Sequence, residues 1–349
     1  MTPKRAGEIR VGVVGCGVIA YWVHLRLLQK MNGVRLVAAS DPDAAARERA
    51  TRIVSVPICA DSHEIIHNPE IDAVVICAPT GVHADLAVDS LNAGKHVFVE
   101  KPIAATIEDA RRVIAAADRS QLTAMVGFSR RLHPLYQQAR RLIASNELGS
   151  VHAVQSAFCE PVALTNLSEW RQARANGGGV LLDLGSHHFD LVRWFLHDEV
   201  ASVDCSTESD QADGHTARVS MSMSGGATVQ SFFSYRTARA DYLEFICERG
   251  TLMLDRHRPS LSLRVSRRFG YGTRSKSVMP DRRVSKWRAR RLTSPSYEPS
   301  YANALDAFAR SIRGEAVSEC SLADAAKSLE IVLAAEESAS INSRVTLQG

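Results

Sequence analysis

After Gly177-Gly178-Gly179 the chain runs VLLDLGSHHFDLVRWFL, a helix-like pattern that sets Asp183, His187, Asp190 and Trp194 at i, i+4, i+7 and i+11 on one face. A carboxylate one turn from an imidazole suits general-base catalysis, because the acid orients the ring and stabilises its protonated form. The same spacing also describes an ordinary solvent-facing helix pair. His188 points about 100° away from that face and fits a structural role. A second chemical group is Lys101 in Glu100-Lys101-Pro102, which closes an apolar run. A lysine at a strand end can hydrogen-bond a substrate hydroxyl and stabilise negative charge developing on it. The alternative is a solvated strand-end lysine. The Lys101-Pro102 bond is also a candidate for the cis form.

A third constellation is made by backbone. Ile9 to Val14 is an apolar run that breaks into Gly15-Cys16-Gly17-Val18-Ile19-Ala20 and continues as a helix-like segment, Tyr21 to Lys30. Glycine at 15 allows a tight turn, glycine at 17 lets the backbone approach a pyrophosphate, and the small Ala20 lets helix and strand pack closely. Free N–H groups and the helix dipole then face phosphate. Asp41 lies 21 residues after Ala20, close to the spacing at which a carboxylate accepts hydrogen bonds from an adenosine ribose 2′-hydroxyl and repels a 2′-phosphate. The pattern predicts a dinucleotide site that prefers NAD to NADP; an ordinary turn between strand and helix is the competing explanation.

Between residue 9 and about 127, apolar runs at 9–14, 34–39, 56–60, 71–77, 95–99 and 122–127 alternate with helical patterns at 18–30, 43–52, 80–93 and 106–119, the last capped by Thr106. Such alternation requires a parallel sheet with helices on both faces and ligands at the carboxyl ends of strands. Ala78-Pro79-Thr80, Glu100-Lys101-Pro102 and Phe128 all fall at such ends. Beyond a bridging helix near 132–145 the pattern changes. Runs occur at 150–159, 200–207, 215–223, 227–236, 241–247 and 251–255, with one helix at 180–196 among them, and amphipathic helices near 301–313 and 322–340 close the chain. The fold class is α/β: an N-terminal Rossmann-type doubly wound parallel sheet over 1–128, then a C-terminal α/β domain, 129–349, with a large, mainly antiparallel open sheet.

The 349 residues, 45% hydrophobic and 23% charged, suit two globular domains. No apolar run approaches the roughly 18 residues of a membrane span, and MTPKRAGEIR lacks an apolar signal core, so a cytoplasmic protein without membrane association is expected. Seven scattered cysteines with no CxxC pair predict reduced, buried thiols and no metal site. The net charge of +4 is uneven: residues 256–291 carry thirteen Lys/Arg against Asp281 alone, whereas the rest has 29 basic and 37 acidic residues. That segment reads as a solvated loop, as a clamp for a phosphate-bearing or nucleotide-linked substrate, or as a nucleic-acid contact. Nucleic acid is least favoured, since only Phe269, Tyr271 and Trp287 punctuate the charge and no binding motif surrounds them.

GCGVIA, Asp41, APTGVHADLAVDSLNAGKHVFVEKPIA over 78–104, GFSRRLHP over 127–134 and GGGVLLDLGSHHFDLVRWFL over 177–196 together resemble the Gfo/Idh/MocA oxidoreductases, the glucose-fructose oxidoreductase and inositol dehydrogenase family. Glu-Lys-Pro with a later GGG-xxx-Asp-xxx-His carries most of that specificity. The resemblance implies Lys101, Asp183 and His187 as catalytic residues that also touch substrate, and cofactor contacts at Gly15, Gly17, Val18, Ile19, Ala78, Pro79, Thr80, His83 and Glu100, beside Asp41 and Lys101. It implies NAD-dependent oxidation of a secondary hydroxyl, or reduction of a keto group, on a sugar, inositol or sugar derivative, phosphorylated and nucleotide-linked ones included. His187 would be the base, Asp183 would hold its tautomer, and Lys101 would polarise the carbinol oxygen. Arg131, Trp170 and Arg171 are further substrate-side candidates, Trp170 equally a core residue, and His24 is expected to pack or cap. Ser129 stands where similar members often have Asn, and the basic segment lies outside the family pattern. Members that retain NAD for elimination, epimerisation or glycoside cleavage, and non-catalytic dinucleotide sensors, are the alternatives. Joint presence of Lys101, Asp183 and His187 argues against a sensor. A large open sheet with few helices to cover it predicts a homodimer or homotetramer.

Overall fold

The computed structural model describes residues 7–161, 174, 177–208, 215–258, 261–266, 273–278, 298–317 and 319–347. The chain divides into two compact units, Met1–Ser129 with Thr293–Ala326, and Arg130–Leu292 with Lys327–Gly349.

In the first unit β1 (Ile9–Val14), β2 (Val34–Ser40), β3 (Ile58–Cys59), β4 (Ala73–Ile76), β5 (His96–Val99) and β6 (Ala124–Val126) form a wholly parallel sheet in the order β3-β2-β1-β4-β5-β6. All of β4 and three of four residues of β5 are buried, as in a sheet covered on both faces, which is why these strands read as unbroken apolar runs. Helices α1 (Leu25–Leu28), α2 (Ala44–Thr51), α3 (His63–Ile66), α4 (His83–Asn92) and α5 (Ile107–Ser120) connect the strands. Asp43 caps α2 by accepting from the Ala45 and Ala46 N–H groups, and Thr106 caps α5 by accepting from Asp109. The strand order reverses between β1 and β4, which opens a crevice at their carboxyl ends. β1 runs into Gly15 at φ +93°, where a Cβ would lie 2.7 Å from the Cys77 carbonyl and the Ala78 nitrogen, so only glycine fits. The segment after this turn is not a plain α-helix: a π turn, Ala20–His24, precedes α1.

The second unit opens with α6 (Pro134–Ala144), capped by His133 Nδ1 accepting from Leu135 N–H, with Pro134 in the first turn. Its sheet takes β7 (Val151–Cys159), β8 (Val200–Glu208), β9 (Thr216–Met223), β10 (Thr228–Ser234), β11 (Ala240–Cys247), β12 (Gly250–Asp255), β13 (Leu261–Ser266), β14 (Thr273–Val278) and β15 (Val345–Thr346). Among the described residues it has nine strands in the order β14-β13-β12-β11-β7-β10-β9-β8-β15, all pairs antiparallel except β7 with β10. Burial alternates along β11 and β12, so one face is core. Helix α7 (Ser186–Leu196) covers that face: Phe189 meets Phe233 at 5.4 Å and Phe195 meets Phe245 at 4.9 Å between ring centroids. On the other face Gln155 and Gln230 are exposed and Phe232, Tyr242, Glu244 and Met253 half-buried.

β13 and β14 lie inside the basic segment 256–291. Of its described stretches, 261–266 and 273–278 are paired strands rather than a solvated loop and 256–258 form the turn after β12, and the remainder of the segment lies outside the described residues. LSLRVS alternates apolar and polar residues at the strand period, a weak signal beneath the charge, whereas TRSKSV is polar up to Val278 and carries no such signal. The first unit is completed by α8 (Pro299–Ile312), whose Phe308 meets Phe98 at 5.7 Å. The division at 326/327 falls within the last helix, α9 (Leu322–Ile341). Among the described residues no helix is long and apolar enough to cross a membrane. All seven cysteines are free thiols, six of them buried.

Candidate active site

In the first unit the glycine turn and Asp41 are hydrogen-bonded into one piece. Cys16 N–H donates to Asp41 Oδ2 at 2.7 Å and Asp43 N–H to Asp41 Oδ1 at 2.8 Å, which fixes the carboxylate just past the end of β2. At Gly17 a Cβ would meet nothing within 4 Å, and Val18 is 77% exposed, so the turn is open where backbone must approach a ligand. An open glycine beside a fixed carboxylate fits a dinucleotide: Gly15, Gly17, Val18 and Ile19 offer backbone to a pyrophosphate, and Asp41 offers acceptors to a ribose. Burial pushes the Cys16 thiol up to about 12, and the Asp41 charge adds to the shift.

At the ends of β4 and β5, Thr80 and His83 are buried beyond Ala78 and Pro79. The His83 ring lies between two carbonyl oxygens, Nδ1 at 2.8 Å from Pro102 O and Nε2 at 2.8 Å from Ala78 O. Its ring thus braces the loop after β4 against the Glu-Lys-Pro turn. Burial lowers its pKa, against the opposing pull of these carbonyls and of Glu100. Glu100 is buried, with Oε1 at 2.7 Å from His24 Nε2, so His24 pairs with an expected cofactor residue rather than merely packing. Lys101 is half-buried, and the Lys101–Pro102 peptide is cis.

In the second unit Asp183 sits on a π turn, Leu181–Gly185, ahead of α7, and its Oδ2 accepts a 2.9 Å hydrogen bond from the buried Tyr235 hydroxyl. His187, in the first turn of α7, is half-buried with its ring 5.9 Å edge-on from Phe158. The neighbouring His188 is fully buried, stacked on Phe158, with Nε2 3.3 Å from Asp241 Oδ1. Asp241 also takes Arg130 Nη1 at 2.9 Å and Arg256 Nη1 at 3.4 Å. Burial alone would raise its pKa, but Arg130, His188 and Arg256 hold the carboxyl well below the usual range.

Two expectations need correction. The four-residue face breaks up: Asp190 is buried in a two-point pair with Arg131, Nε to Oδ2 at 2.9 Å and Nη2 to Oδ1 at 2.5 Å, and Trp194 is buried with the Arg140 guanidinium 4.5 Å from its ring centre. Asp183, Asp190 and Trp194 are thus all claimed by partners distant in sequence. Arg131, expected on the substrate side, is buried with 4% of its side chain exposed and anchors the segment before α6 to Asp190 of α7. Ser129 is buried, and Trp170 and Arg171 lie outside the described residues. Tyr235 and the Arg130–Asp241 pair were missed. Tyr235 lies just past the apolar end of β10, but no spacing rule links it to Asp183, 52 residues away. Among the described residues no three His, Cys, Asp or Glu side chains gather as a metal site requires.

Residues 9–128 match the model described as an oxidoreductase family with an NAD-binding Rossmann fold, and residues 136–253 match the Gfo/Idh/MocA C-terminal domain. The chain belongs to the Gfo/Idh/MocA oxidoreductase family. Its first unit carries the family's NAD-binding domain, and NAD is the cofactor its turn and Asp41 fit. Among Gfo/Idh/MocA relatives it is 28% identical over 315 residues to an inositol 2-dehydrogenase of Rhizobium meliloti, covering 87% of this chain and 88% of that one. It is 28% identical over 202 residues to the scyllo-inositol 2-dehydrogenase (NAD(+)) of Bacillus subtilis; this match spans 56% of each protein. A crystal structure of a putative myo-inositol dehydrogenase from Sinorhizobium meliloti superposes with a TM-score of 0.80 at 26% identity, over 98% of this chain and 100% of the other.

Proposed function

We propose that the protein is an NAD-dependent dehydrogenase, or a reductase in the reverse direction, for a secondary hydroxyl or keto group of a sugar, inositol or sugar derivative. The observation that carries this reading is Asp183, buried with its carboxylate held by Tyr235, four residues before His187. A carboxylate so fixed can orient the imidazole and stabilise it when it gains a proton. His187 takes the proton of the substrate hydroxyl, and Lys101 donates a hydrogen bond to the same oxygen as negative charge grows there. NAD, when bound, supplies the acceptor for the hydride that leaves the carbinol carbon. In the reverse direction His187 returns its proton to the alkoxide oxygen. The inositol dehydrogenases among the relatives favour a cyclic polyol as first substrate to try. Self-association is part of the proposal, since the β-sheet face that α7 does not cover carries half-buried Phe232, Tyr242 and Met253.

The test begins with thermal shift against NAD⁺, NADP⁺ and NADH, and continues with a panel of inositols, sugars and nucleotide sugars, NADH absorbance being the readout. Net NADH formation on at least one polyol is expected. Product formed without net NADH would move the protein to the NAD-retaining reactions, and dinucleotide binding with no turnover of any panel member would leave it a sensor. Light scattering should give a multiple of the 38.1 kDa chain mass; a monomer across micromolar concentrations would refute association.

A further inference from the structure

We propose that His24 is a positioning residue of the cofactor site: through Glu100 it ties the helical segment after the glycine turn to the Glu-Lys-Pro turn, and so sets that turn for the nicotinamide half of NAD. This rests on the proposed NAD-dependent reading and on the cofactor contacts that the family resemblance implies for Glu100 and Lys101.

His24 closes the π turn that comes after Gly15–Ile19 and is fully buried. Its Nε2 lies 2.7 Å from Glu100 Oε1, so the ring hydrogen belongs on Nε2, donated to the carboxylate. Nδ1 is buried and has no hydrogen-bond partner among the described residues. The rings of Phe98 and Tyr301 approach edge-on at 5.6 Å and 6.1 Å and fix the imidazole plane. Packing does not explain a histidine here, because a leucine would fill the space without stranding a polar nitrogen. What histidine adds is the Nε2 hydrogen bond to Glu100. On its other side Glu100 is confined by Gly127, where a Cβ would stand 3.0–3.2 Å from the carboxyl atoms. The carboxylate is thereby boxed into one orientation at the end of β5.

Sheet order gives that bond its meaning. In this topology the strands on one side of the switch point between β1 and β4 serve the adenosine half of a dinucleotide, and those on the other side serve the second half. His24 comes after β1, and Glu100 ends β5. Their bond spans the switch point, so the turn that takes pyrophosphate and the turn that bears Lys101 are held in one register.

Titrating NADH and ADP-ribose against wild type, His24→Leu and His24→Gln separates positioning from packing, because ADP-ribose lacks the nicotinamide. Leucine keeps the volume, and glutamine returns an N–H close to the Nε2 position. For His24→Leu the NADH Kd should rise about tenfold, as for one lost hydrogen bond to a charged group, with ADP-ribose changed less than about twofold. His24→Gln should recover most of the loss. Equal weakening of both ligands, no change in either, or glutamine failing as leucine does would overturn the proposal. Should His24→Leu not fold, His24→Asn, whose N–H falls nearer Nδ1, decides: an NADH-selective loss supports the proposal, and wild-type binding refutes it. None of these titrations needs a substrate, so a wild type that binds NADH without turnover fails the dehydrogenase reading and leaves this measurement standing.

Discussion

Two glycine-led turns open the chemistry of the two units, and each passes through a π turn before its α-helix begins. Gly15–Gly17 leads to Ala20–His24, and Gly177–Gly179 leads to Leu181–Gly185. In the proposed reading the working groups of the first are backbone N–H donors and Asp41, itself held by backbone N–H groups of Cys16 and Asp43. In the second they are side chains, each placed by a residue far off in sequence: Asp183 by Tyr235, His187 by Phe158. A site made of backbone is specified locally, because close approach and positive φ demand glycine wherever they occur. A site made of side chains is specified only once the sheet has formed. The difference separates functions as well: damage to the first turn should fall on cofactor affinity, and damage to the second on turnover.

The largest expected effect is at the second turn. His187→Ala should lower kcat by about 10²–10⁴ while leaving the NADH Kd unchanged, since general-base assistance is worth that much and the cofactor contacts belong to the first unit. Tyr235→Phe removes only the hydroxyl that holds Asp183, so it should cost less in kcat and displace the pH profile. Steady-state kinetics and NADH fluorescence titration check both. Near-normal turnover by His187→Ala would end the comparison, because the second turn would then hold no base.

Legibility in the sequence divides along the same line. The strands around the glycine turn, the Thr106 cap and the need for glycine at 15 all come from short-range rules, and all are present. For Asp183, His187, Asp190 and Trp194, helical periodicity says which residues share a side, not what covers them. Arg131, 59 residues away, claims Asp190, and Arg140 covers Trp194. The π turns were not legible, since both stretches look like ordinary helix. β13 and β14 were hidden by charge: composition suggested solvent, β13 alternates at the strand period, and β14, polar up to Val278, is a strand through its pairing with β13.

A smaller effect sharpens the contrast between the two turns. Gly15 and Gly179 both have positive φ, +93° and +97°, but a Cβ at Gly15 would collide with Cys77 and Ala78 backbone at 2.7 Å, whereas at Gly179 it would reach only Arg174 Cδ at 3.7 Å. Gly179→Ala should therefore cost about 1–2 kcal/mol of backbone strain alone, with NADH affinity intact. Gly15→Ala adds an overlap that must shift the turn, and should weaken NADH binding by more than about tenfold, since the phosphate-facing N–H groups move with it. Paired denaturation and NADH titration of the two variants measure the gap. Equal NADH affinities would mean that the first turn tolerates what its geometry forbids.

The smallest expected effect concerns acid. In the second unit Glu199 takes Arg193 Nε at 2.7 Å and Arg193 Nη2 at 2.9 Å, with Lys327 Nζ at 3.0 Å. The Arg193 hydrogen bonds, aided by Lys327 and opposed by partial burial, pull its pKa down from 4.5 to about 2. A carboxylate depressed in the fold stabilises it above the unfolded pKa, and that contribution fades as pH falls from about 4.5 towards 2. Because 41% of the Glu199 side chain is exposed, screening leaves this on the order of 1 kcal/mol. Asp241, buried and likewise depressed, acts in the same direction. Arg193→Met should thus raise the pH at which the α7–β8 region loses protection from hydrogen exchange in acid. Expected too is that peptides around β1 and Gly15 keep their wild-type profile, because no part of this ion pair belongs to the first unit. A variant with an unchanged acid profile would show that the Arg193–Glu199 pair contributes nothing measurable there, as many exposed ion pairs do.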